Sequence, residues 1–151
     1  MTDTRSPAQP LAGRTALVTG SARGIGWGIA LGLAAAGAHV VLNDLDAAAL
    51  EPKLAELKAA GLKGSAEAFD VTDEAAVTKG MAAIAASVGG PDILVNNAGI
   101  QRRKRFADFT YDEWRAVIDT HLNGAFLCTR AAIPQMTARG FGRIIMIGSI
   151  A

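Results

Sequence analysis

Thr19-Gly20-Ser21-Ala22-Arg23-Gly24-Ile25-Gly26 places three glycines where an apolar run gives way to a helical pattern. Gly20 permits a tight turn, Gly24 lets backbone approach a ligand closely, and Gly26 allows helix and strand to pack tightly. A helix that starts inside such a turn offers free N–H groups and positive potential, which suits a pyrophosphate. Ser21, Arg23 and Ile25 fill the turn. Asp44 stands 18 residues beyond Gly26, directly after a second apolar run. A carboxylate there can accept hydrogen bonds from an adenosine ribose and repels a 2′-phosphate, which points to NAD. Arg23 argues the other way, because its guanidinium suits that phosphate, so NADP stays open. Asn96-Asn97-Ala98-Gly99 ends a later apolar run, and its amides can both donate and accept hydrogen bonds.

The elements that carry these residues follow from apolar patterning. Thr15–Thr19, His39–Asn43, Gly64–Phe69, Asp92–Asn96 and Arg143–Gly148 read as strands. Helices are expected over Gly24–Ala36, from an Asp46 cap to about Ala60, from a Thr72 cap to Gly89-Gly90-Pro91, and from about Tyr111 to Ala138. Strand and helix alternate, and the strands are apolar on both faces. The expected fold is therefore α/β, a doubly wound parallel sheet of five strands, with ligand at the strands' carboxyl ends near the order reversal. Residues 1–10 read as a disordered tail and 11–151 as the domain.

Composition excludes several classes. Half of the 151 residues are hydrophobic, 19% are charged and the net charge is +1, so neither nucleic acid nor an anionic membrane is an expected partner. No apolar stretch of about 18 residues is present to span a membrane. The polar residues Met1–Pro10 lack the core of a secretory signal. The single cysteine, Cys128, fits a reducing compartment and a buried helix position. A cytoplasmic location and no metal are expected.

Taken together, the glycine turn, Asn96-Asn97-Ala98-Gly99 and Gly148-Ser149 resemble the short-chain dehydrogenase/reductase (SDR) family from Leu11 to Ala151. The resemblance implies a Rossmann-type NAD(P)-binding domain and an oxidoreductase interconverting a secondary alcohol and a ketone. It places Gly20, Ser21, Arg23, Gly24, Ile25, Gly26, Asp44, Asp70, Val71, Asn97 and Gly99 around the cofactor, with Asp70-Val71 bordering the adenine and Asn96 steadying the sheet. It makes Ser149 a catalytic residue that holds the substrate oxygen. Asn97-Ala98-Gly99-Ile100-Gln101-Arg102-Arg103 and Asn43-Asp44 look like the gluconate 5-dehydrogenase branch. A sugar-acid carboxylate would then be attracted by Arg102 and Arg103. The parent enzyme is expected to be a homo-oligomer.

Two departures qualify the resemblance. Aligning Leu122, Gly124 and Phe126 with the family pattern puts His121 where a catalytic asparagine belongs. Asn123 would lie about 200° around the helix from it and cannot substitute. Histidine both donates and accepts, so His121 is a candidate for a proton relay. The family also carries Tyr-x-x-x-Lys roughly a dozen residues after the serine, where the catalytic acid sits. The sequence ends at Ala151, and its one tyrosine, Tyr111, is followed four residues on by Arg115. The expectation is an N-terminal portion, truncated after strand five and inactive by itself. The alternative is a non-catalytic dinucleotide-binding module or pseudoenzyme, and a scaffold or partner subunit is a third class. Ile144–Ile147 would then form an unpaired apolar edge.

Overall fold

The computed structural model describes residues 9–148. The assignments of Ser149 and of tail residues 1–8 lie outside them. Five strands form one parallel sheet in the order β3-β2-β1-β4-β5. They are β1 (Thr15–Val18), β2 (His39–Leu42), β3 (Gly64–Ala66), β4 (Ile93–Asn96) and β5 (Arg143–Met146). The helices are α1 (Gly24–Ala35), α2 (Ala47–Ala59), α3 (Glu74–Val88), α4 (Tyr111–Ile118) and α5 (Gly124–Arg139). Chain order reverses between β1 and β4, which pair through Ala16–Ile93, Leu17–Leu94 and Val18–Val95.

The two-residue period of the strands splits the core into two layers. Ala16, Val18, Val40, Leu42, Ile93 and Val95 pack on one face with Ala30 and Ala34 of α1 and Leu50 and Leu57 of α2. Leu17, Val41 and Leu94 point to the other face, against Val77, Met81 and Ile84 of α3 and Cys128, Ala132 and Met136 of α5. Both faces are thus covered by helices, as a parallel sheet requires. Cys128 is buried as expected, and burial pushes its thiol up to about 12.

Three expectations are corrected. The third strand spans only three residues, Gly64–Ala66; beyond them the chain stays beside β2 through the Glu67 amide on the Leu42 carbonyl and through Asn43, without strand pairing. Thr72 does not cap α3. Its amide and hydroxyl both donate to Asp70 Oδ1, each at 2.8 Å, and Asp73 caps the helix by accepting from Ala76 N–H at 3.0 Å. The helix expected from Tyr111 to Ala138 is interrupted by a π-turn, Asp119–Asn123, between α4 and α5. There the Gly124 amide reaches back five residues to the Asp119 carbonyl. Gly124 packs so closely on Val71 that a Cβ would stand 2.8 Å from its Cγ2, and the wider turn seats that glycine against the strand-end loop.

At the opposite end of the sheet, Asp92 accepts from the Thr15 amide at 3.0 Å and pairs with Arg14 at 3.5 Å and Arg139 at 3.2 Å. This ties the start of β1 to the end of α5. No helix among the described residues is long and apolar enough to cross a membrane.

Candidate functional site

A cleft of about 520 Å³ opens at the carboxyl ends of the strands, at the β1–β4 reversal. Of the residues expected to hold a cofactor, Gly20, Arg23, Ile25, Gly26, Asp44, Asp70, Val71, Asn97 and Gly99 line it. Leu45, Thr72, Ile100, Ala116, Asp119 and Thr120 line it too, and sequence reasoning missed them as site residues. They come from loops and helix turns whose approach depends on the fold.

The glycine turn has the geometry expected of an anion cradle. Gly20 and Gly24 adopt φ of +64° and +56°, where a side chain is strained. A Cβ on Gly26 would run into the Gly20 carbonyl and Asn97 Nδ2, so helix α1 approaches the strand only because that position is bare. Arg23 stands at the N-cap and contributes no side-chain cap. The amides of Gly24, Ile25 and Gly26 consequently have no acceptor among the described residues. A dinucleotide pyrophosphate would supply those acceptors.

Asp44 reaches back to the same turn. Its Oδ2 accepts from the Ala22 amide at 3.2 Å and its Oδ1 from the Leu45 amide at 2.9 Å. A carboxylate has about four acceptor positions, so two stay open for a ribose. Ser21, expected beside the cofactor, does not line the cleft. Its buried hydroxyl donates to the Asn43 carbonyl at 3.2 Å and accepts the Asn43 amide at 2.9 Å, which commits the side chain to β2. Asn43 is itself buried and donates to the Glu67 and Phe69 carbonyls at 3.0 and 3.2 Å, holding the Asp70 loop beside β2.

Asn97 joins the turn to β4. Its Nδ2 donates to the carbonyls of Thr19 and Gly20 at 2.9 and 3.0 Å. Thr19 is a further residue sequence reasoning missed. Its buried hydroxyl accepts the amides of Asn97 and Ala98, both at 3.0 Å, and donates to the Val95 carbonyl at 3.3 Å. A hydroxyl at the last position before a glycine turn was the signal available. Asn96 donates to Thr129 Oγ1 at 3.1 Å and so braces β4 against α5.

The remaining candidates sit apart. His121 borders a hollow of about 40 Å³ next to the cleft, with Asn96, Ala98, Met146 and Ile147. Arg102 and Arg103 are exposed and form no ion pair among the described residues. The rest of that basic run is engaged locally, Lys104 with Glu113 at 2.5 Å and Arg105 with Asp108 at 4.0 Å. The Lys104 hydrogen bond and the Thr110 amide hold the Glu113 carboxyl down to about 2. Tyr111 is exposed at the start of α4 and does not line the cleft.

A parallel sheet with the 3-2-1-4-5 order, a glycine turn at α1 and an acid after β2 define a Rossmann-type dinucleotide-binding fold. The model of the short chain dehydrogenase family matches residues 14–151, and the chain belongs to that family. Gluconate 5-dehydrogenase of Gluconobacter oxydans is 46% identical over 140 residues, covering 93% of this chain and 55% of that protein. D-beta-hydroxybutyrate dehydrogenase of Cupriavidus necator is 42% identical over 92% of this chain and 54% of its own length. The crystal structure of a gluconate 5-dehydrogenase from Burkholderia cenocepacia, in complex with NADP and tartrate, matches with a TM-score of 0.88 and 43% identity, over 92% of this chain and 55% of that one. The chain thus spans about half the length of the relatives it matches.

Proposed function

We propose that this chain is the dinucleotide-binding portion of an oxidoreductase that interconverts a secondary alcohol and a ketone, with a sugar acid such as gluconate as substrate. The observation that carries the reading is one cleft shared by the start of α1, whose first amides have no acceptor among the described residues, the Asp44 carboxylate, Asp70 and the Asn97 turn. The bound nicotinamide would accept or supply the hydride. The chain's own residues bind and orient it: the α1 amides take the pyrophosphate, Asp44 the adenosine ribose, and Asp70-Val71 the adenine edge. Ser149 would hold the substrate oxygen. Arg102 and Arg103 would attract a carboxylate from their exposed loop. The sugar-acid reading draws on the relatives named for gluconate. The hydroxybutyrate dehydrogenase at similar identity also bears a carboxylate substrate in its name, which keeps the class at hydroxy acids.

NAD is the proposed cofactor. Asp44 would face a 2′-phosphate across a partly buried cleft, a repulsion of about 1–3 kcal/mol. Calorimetry with NADH and NADPH tests this, and Asp44→Ala should narrow the difference in affinity. Tighter NADPH binding by the unmutated chain overturns the NAD preference. Binding of neither overturns the dinucleotide reading. Dual use is the second reading, favoured by the exposed Arg23 in the turn. In that case Arg23→Ala weakens NADPH alone.

A non-catalytic binding module is the competing function. It is favoured by His121 at the position of the family's asparagine and by Tyr111 not lining the cleft.

A further inference from the structure

From sequence, His121 is a candidate for a proton relay, but its ring has a nearer task. Nε2 stands 2.8 Å from the Ile100 carbonyl oxygen and 3.1 Å from the Ile100 amide nitrogen. A single ring nitrogen either donates or accepts; it cannot do both at once. His121 therefore holds the C=O or the N–H of Ile100, never the pair. The ring lies on Gly99, where a Cβ would come within 2.5 Å of Cε1, so the bare backbone at 99 is what lets the ring sit there. His121 is also part of the π-turn, whose Asp119 and Thr120 form the cleft wall facing Ile100. The turn leads into Gly124, which packs on Val71, so this wall also meets the Asp70-Val71 loop.

We infer that His121 is a positioning residue that ties the π-turn to the Asn97–Ile100 segment through one alternating hydrogen bond, and so sets how firmly this wall of the cleft is held. Its consequence for ligand binding rests on the dinucleotide reading; the tie itself does not. An amide side chain carries one donor and one acceptor and can meet both Ile100 groups together. Histidine at 121 thus holds the segment less tightly than asparagine would.

Two measurements on the 151-residue chain test this. In the first, amide hydrogen exchange is followed without ligand across residues 97–101. His121→Ala should speed exchange at Ile100, and His121→Asn should slow it about fivefold relative to the unmutated chain, the equivalent of one added hydrogen bond. Unchanged exchange at Ile100 in both variants overturns the proposal. In the second, NADH binding is measured by calorimetry. His121→Ala should weaken NADH about fivefold, and His121→Asn should restore or improve NADH binding. An equal loss in His121→Asn overturns the hydrogen-bonding role in favour of a general structural one. Failure of the unmutated chain to bind NADH overturns the dinucleotide reading, while the exchange result still decides the proposal.

Discussion

Replacing Thr19 with valine removes a hydroxyl and keeps the shape. The Thr19 hydroxyl is the sole acceptor, among the described residues, for the amides of both Asn97 and Ala98. It also donates to the Val95 carbonyl, which keeps a second partner in the Thr19 amide at 3.1 Å. Thr19→Val therefore leaves two N–H groups unmet and costs the Val95 oxygen little. Each unmet buried donor costs about 1–3 kcal/mol. These two are only partly buried, so the lower half of that range applies, and the sum is about 2–4 kcal/mol. For a chain of this size each kcal/mol moves the melting temperature by about 2–4 °C, so a fall of roughly 5–15 °C is expected. Differential scanning calorimetry reads this directly. Thr19→Ser keeps the hydroxyl and should retain most of the stability. Thr19→Val also loosens the turn that Asn97 braces, so dinucleotide affinity should fall with it. A melting temperature within about 1 °C of the unmutated chain would refute the reasoning. So would an equal loss in Thr19→Ser.

Three further outcomes are expected. The 151-residue chain contains no Tyr-x-x-x-Lys pair, and general acid–base catalysis typically supplies about 10²–10⁴-fold, so no gluconate oxidation above background is expected from it; steady NAD-dependent turnover that Ser149→Ala abolishes would contradict this. Ile145 and Met146 on β5 and Leu122 and Phe126 along the π-turn and α5 are exposed. Apolar surface of that extent should make the chain associate, and light scattering coupled to size exclusion would contradict this with a sharp, concentration-independent peak near 15.5 kDa. Glu113 has its folded-state carboxyl lowered from 4.5 to about 2 by the Lys104 and Thr110 hydrogen bonds. Its contribution to the α4 cap is therefore complete above about pH 4.5 and lost as pH falls through about 2; amide NMR of Thr110 through that window would contradict this by showing no change.

Much of the architecture was legible because its signals are local. Apolar runs marked four of the strands and a weaker run, Gly64–Phe69, the third, and the Asp46 cap and the glycine stops marked helix ends. The glycine spacing located the anion turn, since backbone conformation and bare approach are properties of those positions themselves. The motif chemistry and the family resemblance together named nine of the residues that line the cleft.

What the tertiary structure decided were choices between competing partners. Ser21 faces Asn43 and not the cleft because β2 runs alongside the turn. Thr72 loses the cap of α3 because Asp70 captures its amide and hydroxyl first. The helix after Tyr111 opens into a π-turn where Gly124 must meet Val71, a contact no helical periodicity encodes. His121 is polar and near a motif in any reading of the sequence. Only the packed fold sets its single Nε2 against both backbone groups of Ile100, 21 residues away. A hydrogen-bonding side chain has several possible partners, and the fold selects among them by which donors and acceptors it brings within about 3 Å.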